Sequence, residues 1–148
     1  MKKIITREAK YSDQQVVLDL LKILNKDTCE NGFIQRYFST IESPDSAIFV
    51  SCLGESVVGF VEAKSIYTLQ SPRHTIIKAL FVSENYRNLG VASRLLDCIE
   101  NWTNRSGSES IVVGSRTRRE DAKQFYISKG FELFKEHNIF KKKLNSIA

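Results

Sequence analysis

Leu80-Phe81-Val82-Ser83-Glu84-Asn85-Tyr86-Arg87-Asn88-Leu89-Gly90-Val91-Ala92-Ser93-Arg94-Leu95-Leu96 joins a strand-like run to an amphipathic helix. An apolar run, Ala79 to Val82, ends in a polar turn. Small residues then open a helix whose apolar stripe is Val91, Ala92, Leu95, Leu96, Ile99 and Trp102, with Arg94, Asp97 and Glu100 facing away. A buried strand passing through a short turn into an amphipathic helix makes an anion site. The first helical turn has backbone N–H groups without acceptors, and the helix dipole adds partial positive charge. Gly90 and Ala92 lack bulk, so a phosphate group can approach the backbone closely. Arg87 and Arg94 supply charge nearby. The stretch is neither a P-loop nor a dinucleotide fingerprint, since GxxxxGK[ST] and GxGxxG are both absent.

Upstream, Ile4-Ile5 is a short β-like pair, and Ser12 or Asp13 can cap a helix carrying Val16, Val17, Leu20, Leu21 and Leu24. A weaker helical pattern runs from about Asn31 to Ile41. Ala47 to Leu53 and Val57 to Ala63 read as a hairpin closed by Gly54-Glu55-Ser56, and Thr75 to Val82 as a further buried strand. Downstream, Ser110 to Val113 reads as a strand and Asp121 to Lys129 as a helix ended by Gly130. Phe131 to Phe134 and Asn138 to Leu144 are expected as a last pair of strands. This order predicts an α+β (mixed α/β) domain with a partly antiparallel sheet.

Composition bounds the rest. With 148 residues and 42% hydrophobic content, the chain is expected to form one domain, residues 1–148. Its longest apolar runs, Ala47 to Val50 and Ala79 to Val82, are far short of a membrane span. No secretory pattern follows the basic start, and three scattered cysteines, Cys29, Cys52 and Cys98, form no CxxC. A cytoplasmic protein without a metal site, not held in a membrane, is the expectation. The net charge of +5 suits an anionic ligand and falls short of the basic stripe of a nucleic-acid binder, so no nucleic-acid partner is expected.

Arg87-Asn88-Leu89-Gly90-Val91-Ala92 resembles the acetyl-CoA motif Q/R-x-x-G-x-G/A of the GNAT superfamily of N-acetyltransferases, with Val82 at the usual distance upstream. A second match, Ala122 to Phe131, resembles the family's A-x-x-F-Y-x-x-x-G-F segment. The resemblance implies a three-layer α/β/α domain around a central mixed, mostly antiparallel sheet. It implies an acetyl-CoA-dependent N-acetyltransferase acting on a small-molecule or peptide amine by direct transfer in a ternary complex. A non-catalytic CoA-binding or sensing module of the same fold is the alternative. Leu80, Phe81 and Val82 would present backbone groups to the pantetheine arm, with an N–H near Phe81 or Val82 donating to the thioester oxygen. Asn88, Leu89, Gly90, Val91, Ala92 and Ser93, after Arg87, would wrap the pyrophosphate. Tyr126 would protonate the departing thiolate. Seven residues before that tyrosine, where many members carry Asn, stands Arg119, which could still donate to the cofactor. The C-terminal strands, Phe131 to Leu144, are the segment through which two copies could form a homodimer.

A base is needed, because only a neutral amine attacks. The fourth-strand stretch Ile76-Ile77-Lys78-Ala79 has no carboxylate, which leaves Glu62, Glu84, His74 or a water chain. The acceptor is expected to meet the region Tyr11 to Ser46. There Phe33, Tyr37 and Phe38 could line a groove or belong to the core, and Glu30, Glu42 and Asp45 could attract a cation.

Overall fold

A computed structural model describes residues 3–115 and 120–145. The chain divides into two compact units, Met1–Gly114 and Ser115–Ala148. The first holds β1 (Ile4–Glu8), α1 (Gln14–Leu24), α2 (Phe33–Glu42), β2 (Ser46–Leu53), β3 (Ser56–Ile66), β4 (His74–Val82), α3 (Val91–Arg105) and β5 (Ile111–Val113). The second holds α4 (Glu120–Ser128).

The five strands lie in sequence order, β1-β2-β3-β4-β5. The first three pairings are antiparallel, and β4 with β5 is parallel. A parallel pair cannot be joined by a tight turn, and α3 is the crossover that this pairing requires. The fold is the mixed α+β arrangement expected from the order of patterns.

Two helical layers cover the sheet of the first unit. Val17, Leu18 and Leu20 of α1 and Phe33 and Tyr37 of α2 pack with Ile48, Val50, Cys52, Phe60 and Phe81 on one face. On α3, Val91, Leu95, Leu96 and Ile99 are buried, each at most 2% exposed. Arg94, Asp97 and Glu100 are exposed, as the stripe predicts.

Local details differ from the pattern at three places. Neither Ser12 nor Asp13 caps α1 through its side chain. A 3₁₀ turn, Tyr11–Asp13, precedes the helix instead. Asp13 there accepts from the Lys10 backbone N–H at 2.7 Å and pairs with Arg7 of β1, also at 2.7 Å. Tyr37 of α2 donates to the same residue's carbonyl, Lys10 O, at 2.8 Å. Arg94 donates to Ile4 O at 2.8 Å, so its charge ties α3 to β1 rather than facing the turn before the helix.

The third difference lies in the second unit. Phe131 to Phe134 and Asn138 to Leu144 are not strands. An alternating apolar pattern makes a strand only where another strand accepts and donates its backbone hydrogen bonds. No described strand pairs with this segment, and Leu133, Phe134, Ile139, Phe140 and Leu144 are exposed. Gly130 does end α4 as expected. At φ +92° its N–H bonds Ile127 O, and the Phe131 N–H reaches back to Tyr126 O. Among the described residues, no helix is long and apolar enough to cross a membrane.

Candidate active site

Leu80, Phe81 and Val82 form the end of β4, opposite Val61, Phe60 and Gly59 of β3. β5 pairs only with Thr75, Ile76 and Ile77. Beyond Ile77 the β5 edge of β4 has no ladder partner among the described residues. Apart from Val82 O, which Arg87 takes, the backbone groups that point to this edge have no strand partner and can bind an extended amide-bearing chain as a neighbouring strand would. The β3–β4 register also slips between Glu62/Ala63, where Ala79 and Ile77 are their partners and Lys78 is the extra residue. A bulge of this kind turns the strand and re-aims its side chains.

The turn after β4 is held from within. Ser83 N–H bonds Val58 O at 2.8 Å, and Tyr86 N–H bonds Ser83 O at 2.9 Å. Arg87 folds back so that its Nε donates to Val82 O at 3.1 Å, with the guanidinium 5.7 Å from the Phe81 ring centre. Asn88 is left-handed at φ 64°, alone among the described non-glycine residues. Gly90 is left-handed at φ +81° and begins α3, its carbonyl accepting from Arg94 N–H at 3.1 Å.

No side chain caps α3. The N–H groups of Val91, Ala92 and Ser93 precede the first intrahelical bond and have no acceptor in the helix. A Cβ built on Gly90 would meet nothing within 4 Å, so the space before this helix end is open. The residues present therefore fit a pyrophosphate: free donors, a favourable dipole and room. Each such anion–helix contact is worth roughly 0.3–1 kcal/mol when exposed.

Sequence patterning passed over Gly59. A Cβ there would lie 3.0 Å from Phe81 O and 3.1 Å from Val91 Cγ1. Only glycine lets the start of α3 sit this close to the β3–β4 pair. A lone glycine inside a strand pattern was the available signal.

On the opposite face, a cleft of about 210 Å³ lies between α1, α2 and the sheet. Phe33, Tyr37, Ile48, Phe60 and Glu62 line it, together with Val17, Leu21, Thr28, Arg36 and Thr40. Phe33 and Tyr37 are thus both core and groove, while Phe38 packs against the core without lining the cleft. Burial raises the Glu62 carboxyl above its ordinary value, against the pull of Lys78 and Lys64. Glu30, Glu42 and Asp45 do not line it. They bind Lys22, the Tyr11 hydroxyl and Arg73 respectively.

The other base candidates lie outside this cleft. His74 begins β4, roughly 26 Å of strand from Val82, with Nδ1 2.8 Å from Pro72 O. Glu84 is exposed in the turn. Cys98 on α3 is half-buried, and its thiol is pushed up by burial, which disfavours a thiolate nucleophile.

Tyr126 belongs to the second unit. Its ring meets Phe125 and Phe131 edge-on, each at 5.5 Å, and burial raises its hydroxyl above the ordinary phenol value. Arg119 lies outside the described residues.

A strand end with an open edge, an uncapped glycine-led helix and a mixed five-stranded sheet define a class. Residues 17–131 match the Acetyltransferase (GNAT) family, and the chain belongs to that family. N-alpha-acetyltransferase 30 of Homo sapiens is 22% identical over 141 residues, 95% of this chain. The Mus musculus protein of that name is equally similar, and the chain spans 38% of the length of either relative. The structure of AAC(6')-Iy with the bisubstrate analog CoA-S-monomethyl-acetylneamine has a TM-score of 0.86 at 16% identity, covering 96% of this chain and 99% of that one. Aminoglycoside 6'-N-acetyltransferase AAC(6')-Ih from Acinetobacter baumannii has a TM-score of 0.84 at 17% identity, over 97% of this chain and 100% of that one. At these identities the structural likeness is one of fold.

Proposed function

We propose that this protein transfers the acetyl group of acetyl-CoA to a primary amine in a ternary complex, with residues 1–148 acting as one catalytic domain. The open helix start at Gly90 carries this reading, because a short helix-led turn with free N–H groups suits a pyrophosphate. The CoA analog bound by AAC(6')-Iy supports the same cosubstrate. Backbone groups of Leu80 and Val82 hold the pantetheine arm along the free edge of β4, while those of Phe81 face Phe60 of β3. The N–H of Val82, on the free edge, donates to the thioester oxygen as negative charge grows there. Arg87 braces the turn through Val82 O. Asn88 to Ser93 wrap the pyrophosphate, and Arg119 adds a donor. Tyr126 protonates the thiolate as the C–S bond breaks. A raised hydroxyl pKa keeps that proton in place until a strong base, such as a thiolate in a dry site, develops.

Gly90→Glu tests the site. It puts negative charge and a side chain into the open space, at a φ that L residues rarely adopt. Calorimetry should show acetyl-CoA binding by the wild type, weakened at least ~100-fold in the variant, since several phosphate contacts are lost together. A folded wild type that binds no acetyl-CoA would overturn the reading.

A further inference from the structure

Glu62 is the one acidic residue among those lining the cleft on the α1–α2 face. The ion pairs among the described residues, Arg7–Asp13, Lys22–Glu30 and Arg73–Asp45, leave it out. Its cross-strand partner is Ala79, at the β4 bulge, two residues before Phe81. The separation from Phe81 along the strand is therefore roughly 7 Å. Phe60, next on the same face of β3, lies opposite Phe81, and both belong to the core cluster of this face. A carboxylate in the cleft thus stands beside the strand end assigned to the thioester.

We infer that the cleft seats the amine-bearing end of the acceptor, and that Glu62 is the catalytic base that deprotonates it. This rests on the transfer reading above. An ammonium entering the cleft gives one proton to the Glu62 carboxylate. The freed lone pair attacks the acetyl carbon, a C–N bond forms and the C–S bond breaks. The second N–H proton offsets the one taken up by the thiolate, and the proton on Glu62 passes to water. One acetamide, one CoA thiol and one proton result.

The cleft also points to the class of amine. At about 210 Å³ it is smaller than the roughly 300–1,000 Å³ that encloses a drug-sized ligand, so it holds one end of the acceptor. Val17, Leu21, Ile48 and the Phe33 and Phe60 rings form the apolar part of its walls, and Thr28, Arg36, Tyr37, Thr40 and Glu62 the polar part. The Thr28 and Thr40 hydroxyl protons are already donated to backbone carbonyls, Asn25 O and Arg36 O. An alkyl stem matches these walls. The peptide carbonyl beside an α-amino group would find no free hydroxyl proton there, and of the lining side chains only the Arg36 guanidinium, held by Asn31 O and Cys29 O, keeps N–H groups to spare. The acceptor is a primary alkylamine, free or at the end of a lysine side chain.

The charged groups around Glu62 set its pH dependence. Lys64 lies on its own strand and Lys78 on β4, and both favour the carboxylate. From α2, Arg36 is held by Asn31 O and Cys29 O, and the Tyr37 hydroxyl by Lys10 O. α1 and β2 contribute only apolar side chains, Val17, Leu21 and Ile48. Burial outweighs the lysines, so the acid limb of activity should lie above the ordinary carboxylate range.

The test is thiol release from acetyl-CoA with n-butylamine, a lysine-containing peptide blocked at its N-terminus, and a lysine-free peptide with a free N-terminus. Glu62→Gln should lower kcat at least ~100-fold near pH 7 and abolish the acid limb, as expected for losing a general base. Its acetyl-CoA affinity by calorimetry should stay within about twofold, which also reports on folding. Glu62→Asp keeps a carboxylate, and should keep the limb and more activity than the Gln variant. The two alkylamine substrates should react and the lysine-free peptide should not. Glu62→Gln turning over like the wild type with an unchanged pH profile would overturn the base, as would Glu62→Asp losing as much activity as Glu62→Gln. Faster acetylation of the lysine-free peptide would overturn the substrate class. A wild type that neither binds acetyl-CoA nor releases thiol would instead overturn the transfer reading itself, and this inference with it.

Discussion

The segment from Leu80 to Ser93 and the cleft around Glu62 share one sheet and are built in different ways. The first runs along a single stretch of chain and offers mostly main-chain groups: a free strand edge, a turn closed on Val58 and uncapped N–H groups. The second gathers side chains from α1, α2, β2 and β3, which are far apart in sequence. Main-chain donors suit a ligand whose chemistry never changes, since any residue of the right shape supplies them. A side-chain cleft varies with each substitution, which suits a substrate that differs from one protein to another. The two regions meet where Phe60 lies opposite Phe81 and Glu62 opposite Ala79.

Three substitutions test this contrast. The largest effect is expected from Tyr126→Phe, which removes the proposed acid and nothing else. Thiol-release assays should show kcat reduced about 100-fold, with calorimetric acetyl-CoA affinity nearly unchanged. An unchanged kcat would show that the thiolate leaves without this proton. Next comes Gly59→Val, which inserts atoms 3.0 Å from Phe81 O and 3.1 Å from Val91 Cγ1. Overpacking of this kind should cost about 2 kcal/mol of stability in chemical unfolding. It should also weaken acetyl-CoA binding, because α3 is pushed off the strand pair. Equal binding by a destabilised variant would separate packing from cofactor geometry.

The smallest effect is expected from Asp13→Asn, on the cleft side. Asp13 is 7% exposed and holds both Arg7 and the Lys10 N–H. Losing a charge-assisted pair should cost about 1.5 kcal/mol near neutral pH. The hydrogen bond from Arg7 is the main reason that the Asp13 carboxyl lies below its ordinary value of 3.8. A lowered acid stabilises the fold above its unfolded-state value and loses that contribution as pH falls through the folded-state value. Wild type and variant should therefore converge in acid, and acetyl-CoA affinity should not change. A pH-independent difference in urea midpoints would assign the effect to packing instead.

Several local features were legible because their information is local. Gly90, the apolar stripe of α3 and the Schellman ending at Gly130 follow from residue spacing alone. The anchoring roles of Arg94 and Arg87 were not, because a charge pattern does not say which carbonyl a long side chain will reach. Gly59 was passed over for a related reason: what its missing Cβ would strike comes from β4 and α3.

By itself, the order of apolar periods and turn residues determined a mixed sheet with a crossover helix, and a glycine-led start to that helix. Strand and helix periods are properties of neighbouring residues, so a single chain displays them. Tertiary structure alone decided which carboxylate enters the cleft. Glu30, Glu42 and Asp45 found other partners, while the β2–β3–β4 register turned Glu62 toward α1 and α2. It also decided that Phe131 to Phe134 and Asn138 to Leu144 are not strands among the described residues, since a strand exists only when a second one completes its hydrogen bonds.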